Sequence, residues 1–378
     1  MQAKDFDMSL AALGADFYTG VPDSLLSPFT NYIMEKHGVS TKHVVAANEG
    51  AAVGLAAGVY LSTGRPAVVY MQNSGIGNAV NPICSLLHKK VYAIPVIFVI
   101  GWRGEPGVKD EPQHVFQGEV TLTQLDNLGI PHAIITKDTT VDELLLYRQQ
   151  FESHIAEGIP VAFVVKKDAL EDGGNITSTS NATLSREEAL EVTLARSTAN
   201  DVFVCTTGKL SREVFELREK LNMGHGQDFL SVGSMGHSLM VAYGIALNKP
   251  SKRVYCLDGD GAVLMHMGSM GIVGVSGLKN IVHVVINNGA HETVGGIPTV
   301  ASAIQLQSVA TALEYPHAFR VSNSGELAAT LEKVKSLAGP VFIEILTNLA
   351  SRKDLGRPTT TPVQNRDNLM AFLAEADR

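Results

Sequence analysis

Runs of consecutive apolar, mostly β-branched residues alternate along the chain with stretches rich in Ala and Gly. The runs are His43–Ala47, Ala67–Met71, Ile94–Ile100, Val161–Val165, Val202–Cys205, Val254–Leu257, Ile281–Ile286 and Val341–Leu346. Apolar residues at successive positions, rather than at every second one, mark strands covered on both faces. The stretches between them have the composition of the covering helices. The pattern predicts an α/β chain with mostly parallel sheets and helices on both faces. The longest apolar run, Val91–Trp102, carries Pro95 and is too short to span a bilayer. It is expected to be a buried strand, with no membrane partner.

The pattern breaks between Lys167 and Leu190. Glu171-Asp172-Gly173-Gly174-Asn175-Ile176-Thr177-Ser178-Thr179-Ser180-Asn181 is polar and small, a linker composition near the middle of the chain. The halves on either side end alike. Glu157-Gly158-Ile159-Pro160-Val161 and Leu337-Ala338-Gly339-Pro340-Val341 each lead from a helical stretch through Gly and Pro into a buried strand. Two domains of similar design follow, at residues 1–170 and 191–348, with a linker at 171–190. The polar segment 349–378, with Pro358 and Pro362, is expected to wrap over the surface.

Composition narrows the function classes. At 378 residues, with 45% apolar and 18% charged, the chain can bury two large cores. A net charge of -8 with no basic arm excludes a general nucleic-acid binder. Cys84, Cys205 and Cys256 are scattered and show no metal or disulfide spacing. With no signal-type start at Met1, a reducing cytoplasm is expected.

The first chemical signal is Gly259-Asp260-Gly261-Ala262, after the run ending at Leu257. A dinucleotide loop would have a third glycine where Leu264 stands, and would not set a carboxylate where a pyrophosphate approaches. Twenty-five residues later, after Ile281–Ile286, comes Asn287-Asn288. A right-handed β-α-β crossover returns neighbouring strands to the same sheet edge. Asp260 and an Asn amide oxygen would then stand side by side near a helix amino end, a site for Mg²⁺ bridging a diphosphate. A second signal is Glu49, at the end of His43–Ala47 and before a stretch of Ala, Gly, Val and Leu. A carboxyl group in such surroundings needs a partner.

Gly259-Asp260-Gly261 with Asn287-Asn288 resembles the signature of the thiamine-diphosphate-dependent 2-oxo acid decarboxylases. The resemblance implies the thiamin diphosphate-binding fold in both domains, pyrimidine-binding for the first and diphosphate-binding for the second. It implies thiamine diphosphate and Mg²⁺ as cofactors, the metal being held by Asp260, Asn288 and the carbonyl of Ala290; a slightly longer gap keeps Asn287 open as the alternative. Glu49 matches the family's activating glutamate. Asn73 and Gly75 match the glycine turn of the first domain, and Ser234 and Met235 the segment supporting the cofactor. Thr207 and Gly208, after the second domain's first strand, are expected to supply diphosphate contacts, with Gly259, Gly261 and Ala262 beside Asp260. Self-association is also implied, as a homodimer or a dimer of dimers with active sites between subunits.

Within the family, Thr19–Ser24, Gly101–His114 and Asn288–Gly296 are similar to phosphonopyruvate decarboxylases. The resemblance implies conversion of 3-phosphonopyruvate to phosphonoacetaldehyde and CO₂, a step of phosphonate biosynthesis. Asp23, Ser24, Arg103, Lys109, His114 and His291 are the candidate substrate-binding residues, since a dianion in an acidic protein needs local donors. Glu49 is expected to be the acid/base partner, and His114, His291 or a water held by Asp23 is the candidate proton donor. Sulfopyruvate decarboxylase, and a carboligase of the acetolactate synthase type, are the alternative readings.

Overall fold

The computed structural model describes residues 1–174, 176, 180, 182–294, 296–352 and 354–375. Residues 175, 177–179 and 181 of the expected linker lie outside the described residues. The chain divides into two compact units, residues 1–177 with 294–297, and residues 178–293 with 298–378.

The first unit is built on six parallel strands: β1 (Tyr18–Gly20), β2 (His43–Val45), β3 (Val68–Gln72), β4 (Ile97–Gly101), β5 (His132–Ile135) and β6 (Val161–Val165). Their order in the sheet is β2-β1-β3-β4-β6-β5. Val68, Tyr70, Ile97, Val99, Val161 and Phe163 enter one buried cluster. Their neighbours Val69, Met71, Phe98, Ile100, Ala162 and Val164 enter another. Both faces are therefore covered, which is why these strands read as unbroken apolar runs.

The second unit repeats the plan. The strands of its six-stranded sheet are β7 (Val202–Cys205), β8 (Asp228–Leu230), β9 (Val254–Gly259), β10 (Ile281–Asn287), His317–Val321 and Val341–Leu346. The sheet runs from His317–Val321 through Val341–Leu346, β10, β9 and β7 to β8, all pairs parallel. Counted from each unit's first strand, both sheets have the order 2-1-3-4-6-5. The similarity expected from the two Gly-Pro strand entries extends to the whole topology.

Three expectations change in detail. The run from Val91 is a strand only over Ile97–Gly101, because turns and a left-handed Ala93 (φ 53°) precede Pro95. The stretch after Asp260 is two short helices, Asp260–Met265 and Gly268–Gly274, broken at His266. Helix Arg186–Leu194 begins inside the segment read as linker, with Ser185 and Glu188 forming a capping box. In the C-terminal segment, helix Pro362–Glu375 sends the buried Asn365 to the Leu230 N–H at 2.9 Å and the Asp228 carbonyl at 2.9 Å. Among the described residues no helix is long and apolar enough to cross a membrane.

Candidate active site

Parallel strands present their carboxyl ends along one sheet edge, where ligands of α/β proteins bind. In the second unit, β9 and β10 are adjacent, with Gly259 opposite Ile286. Asp260 and the Asn pair therefore leave neighbouring strands together. Asp260 opens its helix and is buried, and its Oδ2 accepts a 2.5 Å hydrogen bond from Thr299 Oγ1. Burial pushes its pKa up to about 6, against the opposing pull of that bond.

The two asparagines have different tasks. Asn287 turns into the core, where its Nδ2 donates to Glu344 Oε1 at 2.8 Å and its Oδ1 accepts from the Gly289 N–H at 3.0 Å. Asn288 lines a cavity of about 100 Å³ with Asp260, Ala290, His291, Met235 and Thr207. Its Oδ1 accepts from the Ala290 N–H at 3.0 Å. Gly259, Gly261 and Ala262 complete the floor. Gly208 (φ 99°) caps helix Lys209–Lys220, and Ser234 (φ 54°) sits in the turn before Met235. Thr206, buried on the same wall, has a hydroxyl without a hydrogen-bond partner. Hard oxygen donors, a helix amino end and an unsatisfied hydroxyl fit a divalent ion with a diphosphate. His291 also lines this cavity, and desolvation lowers its pKa to about 4.

In the first unit, Glu49 begins helix Glu49–Thr63 behind its N-cap Asn48. Glu49 is 5% exposed and its Oε2 accepts from Asn78 Nδ2 at 2.8 Å, the partner its surroundings demand. Gly75 packs directly against it. Asn73 departs from expectation. Its Nδ2 is spent on the Arg103 carbonyl and Thr121 Oγ1, both at 2.8 Å, and its Oδ1 accepts from the Arg103 N–H at 3.2 Å. A carboxamide so engaged holds the Arg103 loop and has no donor left for a cofactor.

Asp23 lies just beyond the end of β1 and is fully buried against β4. A Cβ on Gly101 would stand 2.3 Å from its Oδ2, so only glycine fits there. Oδ2 accepts from the Leu25 N–H at 3.1 Å, while Oδ1 has no partner. Burial raises its pKa to about 6, with the Arg103 charge and backbone N–H groups opposing. Arg103 donates from Nη1 to Ser24 Oγ at 3.1 Å. Its other edge is gripped by Asp110, with Nε to Oδ2 at 2.8 Å and Nη2 to Oδ1 at 2.5 Å. Asp110 further accepts from the N–H groups of Gly104 and Glu111. Asp110, which was not among the sequence candidates, is thus the clamp of the loop. His114 is buried in the first turn of helix Pro112–Asn127, where burial and then the Arg103 charge lower its pKa. Lys109 is exposed on the same loop.

Sequence reasoning missed Arg186, Glu213 and the role of Glu292. Arg186 grips Glu213 through Nε (2.6 Å) and Nη2 (2.7 Å) and reaches Glu292 Oε2 through Nη1 (2.6 Å). The Ser185-x-x-Glu188 box was the available signal that a helix, not a linker, begins there.

Comparison with known proteins agrees with this arrangement. Residues 6–127 match the model of the thiamine pyrophosphate enzyme N-terminal TPP binding domain, and residues 206–345 that of the C-terminal TPP binding domain. A phosphonopyruvate decarboxylase of Streptomyces viridochromogenes is 34% identical, across 98% of this chain and 94% of that protein. One of Streptomyces hygroscopicus is 32% identical, across 99% and 94%. A sulfopyruvate decarboxylase of Methanosarcina acetivorans is 26% identical, across 78% and 79%. Two sheets of one topology, each carrying its half of the expected chemistry at its carboxyl edge, and near full-length similarity to the two Streptomyces proteins lead to one conclusion: the chain belongs to the thiamine pyrophosphate enzymes, in the family of the phosphonopyruvate decarboxylases.

Proposed function

We propose that the protein decarboxylates 3-phosphonopyruvate to phosphonoacetaldehyde and CO₂, using thiamine diphosphate and Mg²⁺. The observation that carries this reading is the near full-length similarity to two phosphonopyruvate decarboxylases, against the lower identity and shorter coverage of the sulfopyruvate enzyme. The reading includes self-association as a homodimer or a dimer of dimers. Three free thiols suit the cytoplasm.

When bound, the cofactor supplies an electron sink for breaking the bond between the carboxylate and the carbonyl carbon. The Asp260 carboxylate, the Asn288 amide oxygen and the Ala290 carbonyl would hold the metal beside the cofactor, with Thr206 and Thr207 as neighbouring donors. Met235 gives it an apolar support. Glu49, oriented by Asn78, would be the acid/base group facing the cofactor's pyrimidine ring. Arg103 and Ser24 receive the anionic groups of the substrate. Among the three candidate donors, Asp23 is the best poised, because a pKa of about 6 keeps a protonated fraction available near neutrality. His291 is a neutral imidazole at that pH.

The test strips the protein with a chelator and restores thiamine diphosphate with or without Mg²⁺. CO₂ and aldehyde are then measured from phosphonopyruvate, sulfopyruvate and pyruvate in parallel. The reading expects release that needs both additions and is fastest with phosphonopyruvate. Preference for sulfopyruvate would reassign the substrate, and a ketol product would make the protein a carboligase.

A further inference from the structure

Beside the metal motif lies a cluster of charges for which the chemistry above has no task. Arg186, Glu213 and Glu292 have side chains only 8%, 1% and 10% exposed. Arg186 holds both Glu213 oxygens and, through Nη1, Glu292 Oε2. The second oxygen of Glu292 stands 3.8 Å from Lys209 Nζ. Withdrawing these charges from water is costly, and buried ion pairs are on average a poor source of stability. Their position is more informative. Arg186, Lys209 and Glu292 line the same cavity as Asp260 and Asn288, and Glu292 Oε2 also accepts a 3.2 Å hydrogen bond from Asn288 Nδ2.

We propose that Glu292, clamped by Arg186, is a positioning residue that fixes which end of the Asn288 carboxamide is offered to the metal. An amide group can turn by half a revolution and exchange its oxygen for its NH₂. With Glu292 in place, the turned form would set the amide oxygen against a carboxylate oxygen, two acceptors with no proton between them. The bond to Nδ2 therefore keeps the nitrogen toward Glu292, while the oxygen, which accepts from the Ala290 N–H at 3.0 Å, keeps its second lone pair for a cation. Arg186 and Glu213 hold Glu292 in turn, so the order runs from the core through Glu213, Arg186 and Glu292 to Asn288. Partners one step removed from a metal ligand typically change metal affinity by about 10–100-fold when lost.

This inference rests on the assignment of Asn288 as a metal ligand, and a double-mutant cycle separates the two. Mn²⁺ binding to the protein with thiamine diphosphate is measured from the resonance of free Mn²⁺ for wild type, E292A, N288A and the double variant. Loss of affinity of about 10–100-fold in E292A, with the double variant no weaker than N288A, is the expected result. Additive losses, or an E292A affinity equal to wild type while N288A is impaired, would overturn the positioning role and leave the metal assignment standing. An N288A protein that binds Mn²⁺ normally would overturn both. Should E292A fail to fold, E292Q replaces it. It keeps an acceptor for Asn288 while losing the charge that anchors it to Arg186. Its expected loss is smaller, with the same lack of additivity.

Discussion

The backbone of Gly75 lies against the Glu49 carboxylate so closely that a Cβ at position 75 would stand 2.6 Å from both Cγ and Oε1. No side chain can occupy that space without moving Glu49 and straining its bond to Asn78. Gly75→Ala is therefore expected to reproduce much of the defect of Glu49→Gln, a loss of about 10²–10⁴-fold in kcat. Both variants should keep the fold, since only the carboxylate moves. Steady-state decarboxylation and circular dichroism check this. Near-normal turnover of folded Glu49→Gln would end the acid/base assignment.

Asp23 gives a stability signature with a definite sign. Its native pKa of about 6 lies above the value of about 3.9 for an unfolded aspartate. The native state thus holds the proton more tightly than the unfolded chain. The stabilisation from this group is complete below about pH 4 and is lost as pH rises to about 6. The difference between those two proton affinities corresponds to about 3 kcal/mol. Asn cannot ionise, so the stability of Asp23→Asn relative to wild type should rise across that window and level off above it. Asp260 titrates in the same range but is common to both proteins and cancels in the difference. Urea unfolding at a series of pH values measures it. A difference that stays flat from pH 4 to pH 7 would rule out the buried, raised carboxyl.

Legibility in the sequence followed burial. The eight apolar runs all contain strands; seven are buried along almost their whole length, so nearly every position carries the signal, while His43–Val45 is a half-buried edge strand. Among the described residues of the two six-stranded sheets, four strands left no such run. Tyr18–Gly20 and Asp228–Leu230 have three residues each. His132–Ile135 and His317–Val321 are partly exposed edge strands, the first with only three apolar residues after His132 and the second broken by Arg320. In the site, Asp260, Asn288 and Glu49 could be read because each sits at a fixed offset from a strand end. Asp110 and Arg186 could not. Their importance depends on partners distant in sequence or hidden by a loop, Ser24 through Arg103 in one case and Glu213 and Glu292 in the other.

The Asn pair makes opposite predictions for two adjacent residues. Asn287 is 5% exposed and donates to Glu344, itself fully buried. Asn287→Ala should destabilise the protein by about 1–3 kcal/mol, because a buried carboxylate loses a donor. Asn288→Ala should leave thermal stability close to wild type and weaken metal binding instead. Melting temperature and Mn²⁺ titration on the same preparations read the two effects. If Asn287→Ala were the variant that lost metal, the amide turned toward Glu344 would have been misassigned.

Arg103 sets the last expectation. Its guanidinium is held flat by both oxygens of Asp110 and still reaches Ser24 beside Asp23. A planar fork in that position can meet an anionic group with two parallel bonds, which a lysine ammonium cannot do. Hydrogen bonds to charged groups contribute about 1.5–3 kcal/mol, so losing them raises KM by roughly 10–100-fold. Arg103→Lys should show that rise for phosphonopyruvate and a much smaller one for pyruvate, which lacks the phosphonate. The contrast matters because a loop that had simply come loose would impair both substrates alike. Equal losses on the two would assign Arg103 to holding the loop, and only a selective loss assigns it to the phosphonate.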